Sequence, residues 1–259
     1  MRSIPVIGLP VAATDYAGAV AWILGKAALS DQPYAVEAAN THVASLARTD
    51  PGFGETMAGF DLIVPDGMPL VWAVNRRLPK SGKIPDRVYG PTLMLETIRA
   101  TDTPDSPHRH FLLGGKQSTL EKLQTRFASD FTHATIADTY SPPFGGWPAD
   151  EDEKIIQKIA GSRADLVWVG LGCPRQEHWI AKNKHRLPPA VYFGIGAAFA
   201  FHAGEVRQSP PVLQKLGLEW AYRLAMEPRR LFKRYLTHNT LFLYHLMADQ
   251  MGARASRPH

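Results

Sequence analysis

Cysteine is nearly missing from this chain: there is one, Cys173, in 259 residues. An intramolecular disulfide is therefore excluded, which is in keeping with a reducing compartment. Long apolar runs are missing as well. No stretch approaches the ~18 consecutive apolar residues that a spanning helix requires. Pro5, Pro10 and Asp15 interrupt the N-terminal stretch, so no signal-type apolar core forms and export is not expected. Internal repeats and low-complexity tracts are absent. What remains is ordinary globular composition, 45% hydrophobic and 20% charged, in a chain long enough for one domain or two lobes.

Acidic residues are scarce at one end only. Residues 207–259 hold nine Lys/Arg and three Asp/Glu, a net +6, whereas the other 206 residues hold twenty and twenty-one, a net −1. A basic end on a near-neutral body calls for an anionic partner: acidic lipid, pyrophosphate or nucleic acid.

Apolar runs alternate with helical patterns along the body. Strands are expected at 34–39, 61–64, 110–113, 135–138, 166–170 and 190–194, after a short extended segment at 5–10. Helices are expected at 15–29, from His42 onward, and at 91–100, 118–128, 150–160 and 175–184. Strand signals cease after Pro210-Pro211. One helix is expected over 212–226 and another over 229–251, with Pro228 in its first turn. The pattern predicts an α/β fold, a mainly parallel Rossmann-like sheet flanked by helices (residues 1–206) with a C-terminal helical appendage (residues 207–259). Functional residues in such sheets gather at strand C-terminal ends.

Two strands end in a polar residue. Asp66 follows the apolar run Leu62-Ile63-Val64-Pro65 and precedes Gly67. A carboxylate delivered there suits a general base acting on a hydroxyl, or an ordinary Asp-Gly turn. Asn40 ends the preceding strand, where it suits a helix N-cap or a sugar hydroxyl. Both can face one crevice. Three glycine-bearing segments also follow strands. Gly114-Gly115 before Lys116-Gln117-Ser118 forms a plausible phosphate cradle, with free N–H groups at a helix start. In Gly170-Leu171-Gly172-Cys173-Pro174-Arg175-Gln176-Glu177, Gln176 is placed to read a uracil or sugar edge, and Glu177 to complement the helix dipole. Cys173 has no evident His/Asn constellation and reads as inert. In Phe193-Gly194-Ile195-Gly196-Ala197-Ala198-Phe199 the third glycine of a dinucleotide fingerprint is replaced by Phe199, so Gly196 reads as close backbone packing near a ligand. The triplet Asp150-Glu151-Asp152 contains an Asp-x-Asp pair of the kind that holds a metal on a diphosphate, but its place before an apolar helix favours capping. In the appendage, Arg223, Arg229, Arg230, Lys233 and Arg234 interleave with Trp220, Tyr222, Phe232 and Tyr235. Arg230, Lys233 and Arg234 share a helix face, and Leu231, Tyr235, Phe242 and Leu246 form an apolar stripe. That pattern suits a membrane surface, a diphosphate clamp or plain packing on the body.

Taken together these segments resemble the WecG/TagA/CpsF family, glycosyltransferase family 26, from about Pro5 to Tyr235. The most specific set is Gly170 to Glu177, then Gly194 to Gly204, then Gly217-Leu-Glu-Trp-Ala-Tyr-Arg-Leu224 with Glu227-Pro228-Arg229-Arg230; Asp66-Gly67 and Asp86-Arg87-Val88-Tyr89-Gly90 match earlier blocks. The resemblance implies inverting transfer from a UDP-sugar to a polyprenyl-diphosphate-linked saccharide, with no required metal and no cofactor. It implies Asp66 as base with Asn40 beside it, and Arg87 and Gln176 around the donor. It also implies a membrane-contacting tail whose Arg223 and Arg230 close over the diphosphate. The enzyme would then be cytoplasmic, peripheral to the inner face of the cytoplasmic membrane, with no nucleic-acid partner and a homo-oligomer left open. Ala38, Ala200 and Gln208-Ser209-Pro210 depart from common family residues, which leaves the sugar open among N-acetylmannosamine, its uronic acid and glucose. Two other classes compete: a Rossmann-type oxidoreductase and a non-catalytic membrane- or anion-binding module.

Overall fold

The structure, a computed structural model, describes residues 1–210, 212–213 and 217–255, with all their side chains except those of residues 230, 234, 250 and 252–255. The chain opens with an antiparallel hairpin, β1 (Ser3–Val6) and β2 (Leu9–Ala12). Sequence pattern suggested one extended segment here. Ile7 and Gly8 instead both take positive φ, 45° and 94°, which makes a two-residue turn with the twist a hairpin needs.

The body is a six-stranded sheet of β3 (Tyr34–Ala39), β4 (Leu62–Pro65), β5 (Arg109–Gly114), β6 (Thr135–Tyr140), β7 (Leu166–Gly170) and β8 (Val191–Gly194). The order is β4-β3-β8-β7-β5-β6 and every neighbouring pair is parallel. Helices cover both faces, so central strands read as unbroken apolar runs: all of β3 is buried, as are Leu166 to Val169 of β7. Alternate residues feed two cores. Ala35, Ala39, Phe111, Val167 and Tyr192 face one; Val36, Leu112, Trp168 and Phe193 face the other.

The connecting helices are α1 (Tyr16–Leu29), α2 (Thr41–Thr49), α3 (Pro51–Ala58), α4 (Met68–Asn75), α5 (Gly90–Ala100), α6 (Gln117–Asp130), α7 (Glu151–Ser162), α8 (Arg175–Asn183) and α9 (Ala197–His202). α3, α4 and α9 were not foreseen. They run six to eight residues, and two carry Pro or Gly in the first turn, too short for a clear helical period.

The chain crosses the sheet in both directions. From β5 it turns through α6 to β6; from β7 it turns the other way through α8 to β8. The two helices lie against opposite cores: Leu120 and Leu123 of α6 in one, Trp179 and Ile180 of α8 in the other. The carboxyl ends of β5 and β7 thus diverge, which is the place where open α/β sheets present a ligand crevice.

The appendage contains α10 (Glu219–Met226) and α11 (Pro228–Ala255). The single helix expected over 212–226 is cut: Gly217 takes φ +70°, a left-handed conformation that a helix cannot run through. Residues 211 and 214–216 lie outside the described residues. α11 docks on α2. Leu231 and Phe242 are fully buried, each contributing about 2 kcal/mol by removal from water. Thr41 Oγ1 donates to Asn239 Oδ1 at 2.6 Å, Ser45 Oγ lies 3.2 Å from His238 Nδ1, and the His42 and His238 rings meet edge to face at 4.3 Å. The stripe expected at Leu231, Tyr235, Phe242 and Leu246 is therefore the inner face of the helix and not a free surface. A second apolar stripe, Phe232, Leu236, Leu243, Met247 and Met251, is exposed.

Candidate active site

The appendage closes over the carboxyl ends of β3 and β4 and leaves a cavity of about 540 Å³ between them. Asn40, Asp66, Arg87 and Arg223, singled out separately in the sequence, all line it, together with Thr41, His42, Trp72, Arg76, Glu219 and Trp220.

Asp66 is placed by the sheet. Its N–H donates to the Ala39 carbonyl at 2.8 Å, continuing the β3–β4 ladder one residue beyond the strand. Its Oδ1 accepts from Gly90 N at 2.7 Å. Gly90 leaves little room for a side chain: a Cβ there would stand 3.2 Å from Ala38 Cβ and 3.3 Å from Ile195 Cγ2. Burial, helped by the charge of Glu219, pushes the Asp66 carboxyl up to about 6, against the pull of Arg87, the Gly90 N–H and Arg223. Such a group is mostly ionised near neutral pH, yet basic enough to take a proton from a hydroxyl in a transition state.

Arg87 holds the wall beside it. Its Nη2 donates to Glu219 Oε2 at 2.6 Å, both side chains about nine-tenths buried, and its guanidinium lies over the Tyr89 ring at 4.2 Å. Burial alone would lower its affinity for the proton; the charges of Asp66 and Glu219 more than offset this and hold it above its ordinary value. This ion pair also ties the appendage to the body. Arg223 lies 5.3 Å from the Phe201 ring, and its buried Nε has no hydrogen-bond partner among the described residues.

Asn40 does what a strand-to-helix residue does. Its Oδ1 caps α2, accepting from His42 N and Val43 N at 3.0 and 3.3 Å. The capping role is met, and the amide Nδ2 is what it can turn toward a ligand. Of the remaining appendage residues, Lys233 is exposed, and the side chains of Arg230 and Arg234 lie outside the described residues.

Gly114, Gly115, Gln176 and Gly196 form a second group, at the diverging ends of β5 and β7 and the end of β8. Gly114 and Gly115 take φ +107° and +73°, and a Cβ at Gly114 would fall 2.6 Å from the Gly170 backbone. Gln176 Oε1 accepts from both Gly172 N and Gly196 N at 3.1 Å, so it is enclosed by its own loops. Its reach to a uracil or sugar edge is not displayed by these bonds. Ile195 joins the two groups, its Cγ2 lying 3.3 Å from where a Gly90 Cβ would stand.

The acidic triplet is not a unit. Asp150 pairs with Lys154, Glu151 accepts from Tyr140, and Asp152 accepts from Trp179 and Lys182. Asp150 makes no side-chain capping bond, so the triplet serves as an acidic first turn. Cys173 does have a histidine, with Sγ 3.7 Å from His42 Nδ1; sequence separation hid that contact. Trp72, Arg76 and Glu219 were also missed as site residues. Glu219 left a sequence trace, as one of three acids in a basic segment and within the Gly217–Leu224 block.

Comparison with known proteins decides the class. The model of the glycosyl transferase WecG/TagA/CpsF family matches residues 4–256. The chain belongs to this family. It is a glycosyltransferase, and the oxidoreductase alternative falls away. It is 32% identical over 192 residues to the N-acetylglucosaminyldiphosphoundecaprenol N-acetyl-beta-D-mannosaminyltransferase of Bacillus spizizenii, covering 74% of this chain and 71% of that one. Proteins of the same name from Bacillus subtilis and Staphylococcus aureus are each 28% identical, covering 78% and 80% of this chain and 75% and 76% of theirs.

Proposed function

We propose that this glycosyltransferase moves a sugar, N-acetylmannosamine first among the candidates, from a UDP-sugar to a polyprenyl-diphosphate-linked saccharide in cell-surface polysaccharide synthesis. The relatives' names supply the acceptor class and the sugar. The observation that carries the mechanism is the Asp66 carboxyl, raised to about 6, in a cavity walled by Arg87 and Arg223.

Asp66 takes the proton of the acceptor hydroxyl as its oxygen attacks the anomeric carbon. The bond from that carbon to the diphosphate breaks and UDP leaves. The relatives' names record a beta linkage, which a single displacement yields from an alpha-linked donor. Arginine forks match phosphate oxygens, so Arg87 and Arg223 supply countercharge to the diphosphates and the reading calls for no metal or cofactor. The diverging ends of β5 and β7, with Gly114, Gly115 and Gly196, take the nucleotide end of the donor.

The enzyme works at the inner face of the cytoplasmic membrane. No helix among the described residues is long and apolar enough to cross a membrane. The exposed stripe of α11, with Trp72 and Trp220 half-exposed at the cavity, suits a helix lying in the interface, and the +6 charge of residues 207–259 favours anionic headgroups.

A donor screen with a short polyprenyl-diphosphate sugar acceptor, read by mass spectrometry, tests the reaction. One added N-acetylhexosamine is expected; no product with any nucleotide sugar overturns the reading. Asp66→Asn and Asp66→Ala are expected to fold and to lose turnover by about a thousandfold. Wild-type-like rates in either would remove Asp66 from the base role.

A further inference from the structure

We propose that the opening of the cavity, between α4 and α11, binds the prenyl diphosphate part of the acceptor, with Arg76 on the diphosphate and Trp72 and Leu243 on the first isoprene units. The protein then recognises the carrier lipid itself, beyond lying on the membrane that holds it. The proposal rests on the acceptor class proposed above and deepens it.

The cavity is polar at one end and apolar at the other. Asp66, Arg87 and Glu219 line it, and so do Trp72, Trp220 and Leu243. Burial orders the two groups. Arg87 and Glu219 are 8% and 7% exposed, whereas Trp72 and Leu243 are each 56% exposed and Trp220 42%. Single exposed apolar side chains are ordinary; three large ones around one opening mark a surface that is covered in use. Leu243 belongs to two surfaces, the cavity wall and the outward stripe that holds Leu236 and Met247. The opening is thereby continuous with the face proposed for the membrane.

Arg76 supplies the charge. Met68, Trp72 and Arg76 recur at every fourth residue and share one side of α4, and all three line the cavity. A cation at a helix carboxyl end complements the dipole, and Arg76, the cap residue of α4, does that. Its side chain is nonetheless exposed, with no ion pair or hydrogen bond among the described residues, while Arg87 is engaged by Glu219. A planar fork left open beside an apolar wall matches an anion that carries an apolar chain. Size divides such a ligand. A volume of about 540 Å³ suits a small molecule, and so takes a sugar with its diphosphate. A long prenyl chain exceeds it and leaves by the opening, across Trp72 and Leu243.

The experiment measures binding of dimethylallyl, geranyl, farnesyl and geranylgeranyl diphosphate, and of inorganic pyrophosphate, by calorimetry. Concentrations stay below micelle formation and no vesicles are present. The proteins are wild type, Arg76→Gln, Trp72→Ala and Leu243→Ala. In wild type the dissociation constant is expected to fall about tenfold from dimethylallyl to geranyl and again to farnesyl diphosphate, then to level off where the chain has left the protein. Trp72→Ala and Leu243→Ala each shrink those steps to about threefold or less and leave inorganic pyrophosphate unchanged. Arg76→Gln weakens all the ligands about tenfold and keeps the steps. Equal dissociation constants for the four chains, or full steps in both Trp72→Ala and Leu243→Ala, overturn the chain site; unchanged pyrophosphate binding in Arg76→Gln overturns the diphosphate site. Both apolar variants shorten half-exposed side chains, and either alone decides if the other does not fold. Dihexanoyl phosphatidylglycerol is expected not to displace farnesyl diphosphate; displacement at equal concentration gives the opening to bulk lipid and overturns the proposal. Transfer to acceptors carrying the same four chains is measured separately. Stepwise binding without sugar transfer leaves the site standing and removes the proposed reaction, whereas transfer with one KM for every chain length removes the site and leaves the reaction.

Discussion

Replacing Glu219 with glutamine removes one negative charge beside Asp66, the proposed base, at almost no cost in volume. Arg87 stands between the two, with Nη2 2.6 Å from Glu219 Oε2 and Nη1 3.5 Å from the Asp66 carbonyl oxygen. Glu219 is then on the order of 8 Å from Asp66 across one guanidinium. At that distance, with an effective dielectric of about 20, two like charges repel by about 2 kcal/mol, equivalent to about 1.5 pH units. Water in the open cavity brings this to roughly 1. Arg87, released from its partner, also leans more on Asp66, which acts in the same direction. Wild-type kcat/KM is expected to rise with pH through about 6, where Asp66 ionises. In Glu219→Gln the rise is expected about one pH unit lower, read by transfer assays across the acid range. An acid limb that stays in place or moves upward refutes the electrostatic account of Asp66. The same change leaves the buried Arg87 without its counter-charge, at a cost on the order of 3 kcal/mol, so melting temperatures define the temperature at which rates are compared. Linkage follows the same sign. Because Asp66 titrates above its ordinary value in the folded protein, its contribution to stability is full below about pH 4 and is lost as pH rises through about 6. Glu219→Gln flattens that dependence.

Three other outcomes are expected. The double variant Phe232→Asp, Leu243→Asp changes only exposed side chains; it is expected to keep its melting temperature but float at least tenfold less with anionic liposomes. Equal flotation would remove the stripe from the membrane contact. Phe242→Ala opens the packed seam between α11 and α2, and is expected to cost about 3–5 kcal/mol of stability and to raise acceptor KM; a loss under 1 kcal/mol by chemical denaturation would mean that the appendage is not docked as described. Gly114→Ala places a methyl 2.6 Å from the Gly170 backbone at φ +107° and is expected to abolish UDP binding by calorimetry; unchanged affinity would move the nucleotide elsewhere.

The parallel sheet was legible because covered strands carry unbroken apolar runs: Tyr34–Ala39 and Leu166–Gly170 have the same bounds in sequence and structure. Helices long enough to show a period, such as α1 and α6, were legible for the same reason. The short helices were not, since Met68–Asn75 reads as a buried run whatever its backbone does. At the site, Asp66 and Asn40 were legible from their positions at strand ends. Their shared cavity depends on where α10 and α11 dock, and residue pattern does not encode docking. The stripe legible in α11, Leu231, Tyr235, Phe242 and Leu246, is the inner one; the outward stripe went unread, because the helix is apolar on two faces and composition does not say which meets the body. Glu37 carried a signal that went unread: a single carboxylate in Tyr-Ala-Val-Glu-Ala-Ala, which the structure buries within β3.

The strand order sets a length. Asp66 ends β4, at one edge of the sheet, and the divergence of β5 and β7 lies three and a half strands away. At the spacing of paired strands this is roughly 17 Å. A phosphate or a lone nucleoside is too short to touch both places. Any ligand read at both is extended and crosses the ends of β8 and β3, so under the proposed reading the sheet is a ruler laid beneath the donor. If the nucleotide end sits at β5 and β7 and the base is Asp66, as proposed, binding and chemistry are separable, and exchanging the loops over β3 and β4 is a route to new sugar or acceptor choice with the nucleotide grip left intact.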